Sequence, residues 1–113
     1  MLVIGAAEAC NLRDYQVLPA AISVELIHNF SLIHDDLPCM DDSACRRNKP
    51  SVHVKFGEEA AILAAISLLS QGFSRLSACA AAIGAGPELD RRAFELLADT
   101  VGPYGMAAGQ LAE

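Results

Sequence analysis

The chain has 113 residues, room for at most one domain, and its 53% hydrophobic and 19% charged residues exclude intrinsic disorder. A formal net charge of -6 argues against a nucleic-acid partner or an anionic membrane surface. Twenty alanines, together with many Leu and Ile, favour helix over sheet. The mean hydropathy of +0.33 is high for so short a chain, because small monomers bury only a modest share of their surface. The excess points to missing partner surface, either another subunit or the rest of a larger protein.

Residues 2–10 read as the tail of a helix closed by Asn11. They lack a basic region and meet Glu8 too soon for a secretory signal. A second helix is predicted from Pro19, a good first-turn residue, to Asp36, with Ile22, Leu26, Phe30 and Ile33 at helical spacing beside Val24 and Ile27. Pro38 disturbs it, since proline lacks a donor and restricts the residue before it. The polar, basic stretch Asp42 to Val54, with Pro50, reads as a loop. A core helix follows from Glu58 to Ala82, apolar nearly all round. Gly84, Gly86 and Pro87 separate it from a helix reaching Val101, and Gly102-Pro103-Tyr104-Gly105 turns into a last apolar segment.

The longest apolar stretch, Ala60 to Leu69, is too short to span a bilayer, so the chain reads as soluble, with no transmembrane segment. Cys10, Cys39, Cys45 and Cys79 form no CxxC pair and no regular spacing, and a zinc set of His34, Cys39, Cys45 and His53 is interrupted by two acidic pairs. They read as reduced cysteines packed as small hydrophobes in a reducing compartment.

The chemistry concentrates between His28 and Gly57. Asp35, Asp36, Asp41 and Asp42 place four carboxylates within eight residues beside apolar segments. Like charges at that density repel, and burying them is costly without a counter-charge. Mg²⁺ supplies one by taking one or two carboxylates, keeping waters and accepting phosphate oxygens. Acidic clusters are ordinarily solvated helix ends, but here Arg46-Arg47 follow closely, with Lys49 beside them. Guanidinium forks suit phosphate oxygens, so carboxylates plus an arginine pair make a site for a diphosphate. His28 lies two helical turns before Asp35, with Ser31 between them on the same face.

These residues carry a family resemblance. The run from His28 through His34-Asp35-Asp36-Leu37-Pro38-Cys39-Met40-Asp41 resembles the first aspartate-rich region of the all-trans prenyl diphosphate synthases. Arg46-Arg47-Asn48-Lys49-Pro50 resembles the RRGKP that follows it, and His53 to Glu58 the next conserved block. The two extra residues inside the motif resemble geranylgeranyl diphosphate synthases of plant and bacterial type and bacterial farnesyl diphosphate synthases. The resemblance implies an all-α fold, a helical bundle of the isoprenoid (trans-prenyl) synthase type. It implies that Asp35 and Asp41 bind Mg²⁺ with Asp36 supporting, all three serving catalysis. Arg46 would hold the allylic diphosphate, while Arg47 and His28 would hold isopentenyl diphosphate. Gln110 matches a glutamine near the reaction centre. Side-chain bulk below the metal site sets product length in the family, which falls on Phe30 and Ser31. An aromatic at Phe30, roughly 7.5 Å down the helix from Asp35, implies a farnesyl-type product, whereas Cys39-Met40 resembles geranylgeranyl enzymes.

Several features depart from the family pattern. Residues 1–113 read as one partial polyprenyl synthetase domain, without the upstream basic motif and the second aspartate-rich motif, and alone as inactive. Ala65-Ile66 stand where Gly-Asp is usual, Ser43 and Ala44 replace acidic residues, and Glu113 replaces an Asp. The resemblance thus implies a short-chain prenyltransferase condensing isopentenyl diphosphate with an allylic diphosphate, as a homodimer or paired with a related synthase subunit. The alternative is a non-catalytic small subunit that modulates an active synthase. Cytoplasm and plastid stroma both remain open.

Overall fold

The computed structural model describes residues 6, 9, 14–84, 86–102, 105–107 and 109. Cys10, Asn11 and Gln110 lie outside the described residues, as does the expected helix tail over 2–10 except for Ala6 and Ala9, both helical. In chain order the elements are helix α1 (Asp14–Asp36), strands β1 (Cys45–Arg46) and β2 (Lys49–Pro50), and helices α2 (Val52–Phe56), α3 (Glu58–Ala82) and α4 (Pro87–Val101). They fall into two compact units, residues 1–21 with 73–113 and residues 22–72.

Helix α3 has the expected limits. Helix α1 starts at Asp14 rather than at Pro19, which lies inside it. The ring removes one ladder bond near the helix start, a local loss that the rest of a 23-residue helix can carry. The expected loop over residues 42–54 is more ordered than its composition suggests. Strands β1 and β2 pair antiparallel, Cys45 with Pro50 and Arg46 with Lys49, leaving Arg47 and Asn48 as a two-residue turn. Both adopt positive φ, 53° and 64°, the mirror-image geometry that matches hairpin twist. Asn tolerates it because its short amide bonds locally, and Asn48 occupies the position of the family's glycine. Helix α2 then runs to Gly57, whose φ of 94° and N–H bond to the His53 carbonyl at 3.0 Å turn the chain into α3.

In the unit of residues 22–72 the buried positions are mostly small or polar: Ser23, Ile27, Asp36, Leu37, Ser51, Ala61 and Ala65. Helix α3 therefore does not act as a core helix on all sides here. Ala61 and Ala65, one turn apart, are buried, while Ile62, Leu63 and Ile66 are exposed. Ala65, in the family's glycine position, is accommodated with its side chain fully inside, and Ile66, in the aspartate position, faces outward. In the other unit Val17, Ala21 and Cys79 are buried, and the rings of Phe73 and Phe94 stack at 5.7 Å. Helix α4 opens with Pro87 after Gly86 and carries Glu88 and Asp90 in its first turn, charges that its dipole favours. Arg91 bridges Glu88 at 2.6 Å and also Glu95, exposed pairs of small energetic weight.

Two segments, Val17–Asp36 and Glu58–Ala81, are long and apolar enough to cross a membrane by length and composition. The unbroken run Ala60 to Leu69 is shorter than the helix that contains it. The longer segment includes scattered polar residues such as Ser67, Ser70 and Gln71. The inner helices of large all-α proteins meet the same criterion. A further correction concerns the thiols: among the described cysteines Cys79 is buried, while Cys39 and Cys45 are exposed. Cys39 sits in the turn after α1 and Cys45 in the hairpin strand β1.

Candidate active site

The last two turns of α1 and the segment that follows bring the charged residues together. Leu37 is buried and Pro38 bars further helix. The chain therefore folds back, with the Met40 and Asp42 N–H groups donating to the Leu37 carbonyl at 2.9 and 3.0 Å. The Asp41 N–H donates to the Asp35 carbonyl at 2.8 Å. The two extra residues of the motif thus close a loop that returns Asp41 to Asp35. Burial, and next the charge of Asp41, push the Asp35 carboxyl above its ordinary value, against the pull of His34 and Arg46.

Asp36 faces differently. Its buried carboxylate accepts from Arg46 Nε at 2.9 Å and Nη2 at 2.8 Å, a two-bond fork of the strong charge-assisted kind. That bond is the first cause holding the Arg46 guanidinium above its ordinary pKa, so it stays a cation. The hairpin that presents Arg46 is tied at its base. The Ser51 N–H donates to the Ala44 carbonyl at 3.0 Å, and the buried Ser51 hydroxyl donates to the Ser43 carbonyl at 2.7 Å. The same hydroxyl lies 3.3 Å from His53 Nδ1. Sequence reasoning missed Ser51, which fell inside the expected loop; it stands at the N-cap of α2 and makes no side-chain cap bond.

The remaining candidates sit on α1 and at the hairpin tip. His28 is exposed, and its carbonyl accepts from the Ser31 hydroxyl at 2.6 Å. Phe30 is half-buried with its ring 5.7 Å from that of His34. Arg47 is exposed at the turn. A groove of 270 Å³ opens beside the Asp36–Arg46 fork, bordered by Asn29, Ile33, Lys49 and Ser51 among others.

Among the described residues no three His, Cys, Asp or Glu side chains gather into a cluster that could hold a metal ion. Asp35 with Asp41 is a pair whose mutual repulsion a divalent cation would relieve. Mg²⁺ commonly binds through one or two carboxylates and completes its shell with water and phosphate, so the pair fits that ion.

Comparison with known proteins shows the family. The polyprenyl synthetase family profile matches residues 1–113. The heterodimeric geranylgeranyl pyrophosphate synthase large subunit 1, chloroplastic, of Arabidopsis thaliana is 42% identical over 113 residues, covering 100% of this chain and 30% of that protein. The chloroplastic geranylgeranyl pyrophosphate synthase of Catharanthus roseus is 41% identical, with 100% and 31% covered. Among solved structures, an FPP/GFPP synthase from Zymomonas mobilis superposes with a TM-score of 0.88 at 34% identity, over 97% of this chain and 39% of that one. A geranyltransferase from Legionella pneumophila gives 0.89 at 32% identity, over 96% and 38%. The chain spans about a third of the length of these relatives, and its fold is the corresponding part of the all-α isoprenyl synthase fold. By the profile match over all 113 residues, the chain belongs to the polyprenyl synthetase family.

Proposed function

We propose that the complete protein is a Mg²⁺-dependent trans-prenyltransferase that condenses isopentenyl diphosphate with an allylic diphosphate into a short-chain prenyl diphosphate. The observation that carries this reading is the return of Asp41 to Asp35 beside a cationic Arg46. Such a combination suits a strongly charged leaving diphosphate.

Asp35 and Asp41 would hold the cation, with Asp36 supporting. When bound, Mg²⁺ neutralises the charge that develops on the departing diphosphate. The outer edge of the Arg46 guanidinium binds the same diphosphate. Arg47, exposed at the hairpin tip, and His28, two turns below Asp35, bind isopentenyl diphosphate and orient its double bond toward the allylic carbon. Leu32, Ile33 and Phe30 belong to an apolar wall that keeps water from quenching the allylic carbocation before the new carbon–carbon bond forms and a proton leaves. Gln110 would act near the reacting carbons, and Phe30 with Ser31 would limit product length.

The exposed apolar side chains of α3 suit contact with further protein, in keeping with a dimer formed with a second copy or a related synthase subunit. The plant relatives are chloroplastic by name, which supports a plastid location. The test is turnover of the complete protein with both diphosphates and Mg²⁺. Replacing Asp35 with Ala should lower it by at least about 100-fold, and unchanged turnover would sink the assignment.

A further inference from the structure

Asp35 and Asp36 are adjacent in sequence, yet the fold gives them different surroundings. The Asp36 side chain is 5% exposed and that of Arg46 39%. Both Asp36 oxygens are taken, one by Nε and one by Nη2 of Arg46. Each oxygen keeps a second lone pair, but with so little of the side chain exposed the carboxylate offers almost no face to a cation arriving from outside. Arg46 is in the reverse position. A guanidinium carries five N–H donors; the fork uses two, and the half-exposed side chain keeps three for another acceptor.

We infer that Asp36 is a positioning residue: it fixes the orientation of the Arg46 guanidinium for a diphosphate and is not itself a ligand of the divalent cation. The inference rests on the synthase reading above and gives a concrete form to the support expected of Asp36. Two features make the orientation firm. The planar fork leaves the guanidinium no rotation about its long stem, so little side-chain entropy remains to be lost when an anion arrives. The backbone around Arg46 is also held, because the two Ser51 bonds to Ala44 and Ser43 close the hairpin just outside β1. An arginine without that carboxylate would carry the same charge but meet the diphosphate in many rotamers.

The experiment uses the complete protein with two probes. Inorganic pyrophosphate is titrated by calorimetry in the absence of divalent cation, and Mn²⁺ binding is counted from the loss of its free-ion EPR signal. Asp36→Asn should weaken pyrophosphate about tenfold and leave Mn²⁺ affinity and stoichiometry unchanged. Asp35→Asn should weaken Mn²⁺ instead. Arg46→Lys keeps the charge and loses the fork, so it should weaken pyrophosphate as well. The double variant Asp36→Asn/Arg46→Lys should bind it no worse than the weaker single variant, because both remove one interaction. Loss of Mn²⁺ binding in Asp36→Asn comparable to that in Asp35→Asn, or additive losses of pyrophosphate affinity, would overturn the inference. If Asp36→Asn does not fold, Arg46→Lys decides, and pyrophosphate affinity equal to wild type overturns the positioning role. Wild-type protein that binds no pyrophosphate even with Mn²⁺ present would remove the synthase reading, and the inference with it.

Discussion

Gly72 of α3 lies so close to Ile27 of α1 that a Cβ built on it would stand 2.6 Å from Ile27 Cγ1 and 3.4 Å from the Ser23 carbonyl oxygen. Cγ1 hangs directly from the Ile27 Cβ, and a β-branched side chain has one strongly preferred rotamer in a helix. Ile27 therefore has no easy way to step aside, and it is itself buried.

Gly72→Ala should lower the Tm. Overpacking costs roughly 1–3 kcal/mol, against about 1 kcal/mol gained in helix propensity. Combining it with Ile27→Ala removes the clashing atom, so the double variant should melt above Ile27→Ala alone. A Gly72→Ala protein at least as stable as wild type would contradict the close approach.

Gly57 tests backbone strain without crowding. A Cβ there meets nothing within 4 Å, but φ is 94°, which side-chain-bearing residues rarely adopt. Gly57→Ala should cost about 1–2 kcal/mol by denaturant titration. At the hairpin, Asn48→Gly should be stabilising by roughly 0.5–1 kcal/mol, since it relieves a positive φ in a two-residue turn. Asn48→Val should destabilise by about 1–2 kcal/mol. Equal midpoints for Gly, Asn and Val at position 48 would exclude that turn.

How far such features could be read in advance depends on their range. The limits of α3 and α4 follow from local signals: acidic residues at Glu58 and Glu59, then Gly84, Gly86 and Pro87. The diphosphate motif was equally plain, because Asp35, Asp41 and Arg46 lie within one short stretch. Residue chemistry alone did not separate Asp35 from Asp36, and the family resemblance gave Asp36 a supporting place without its physical reason. Their difference arises from where the hairpin delivers Arg46, which depends on left-handed Arg47 and Asn48 and on a buried Ser51 that carries no motif. The small inward face of α3 was hidden for a related reason. Hydropathy ranks Leu63 and Ile66 as core, but the buried positions are Ala61 and Ala65, with Gly72 at the close approach to Ile27.

Asp35 contributes to stability with the reverse sign of an ion-paired carboxylate. Its folded pKa lies above the ordinary value of 3.8, so the folded state holds the proton more tightly than the unfolded chain. Stability should fall as pH rises from the ordinary value through the raised one, and level off above it. Asp35→Asn cannot ionise and should escape that loss. It should melt higher than wild type near neutral pH without Mg²⁺, with the gap closing below the ordinary carboxylate range. Added Mg²⁺ should raise the wild-type Tm and leave the variant's nearly unchanged. A variant less stable than wild type in metal-free neutral buffer would contradict the repulsion described.

Phe30 lies five residues before Asp35 on α1, roughly 7.5 Å along the axis. In the complete protein, Phe30→Ala should shift the products, resolved by chromatography of the dephosphorylated alcohols, toward longer prenyl chains. Ser31→Phe should shift them toward shorter ones. An unaltered product spectrum in both would show that the limit lies elsewhere.

The inward residues of α3 leave its sequence an uneven freedom to change. Exchanging Ala61 or Ala65 for glycine forfeits about 1 kcal/mol of helix propensity each, and almost any other exchange adds volume where none is free. Leu63 and Ile66, turned outward, can be trimmed or swapped among apolar types at little cost to this chain's own fold. Mutational drift along this helix therefore has room on the side of large residues and almost none on the side of small ones.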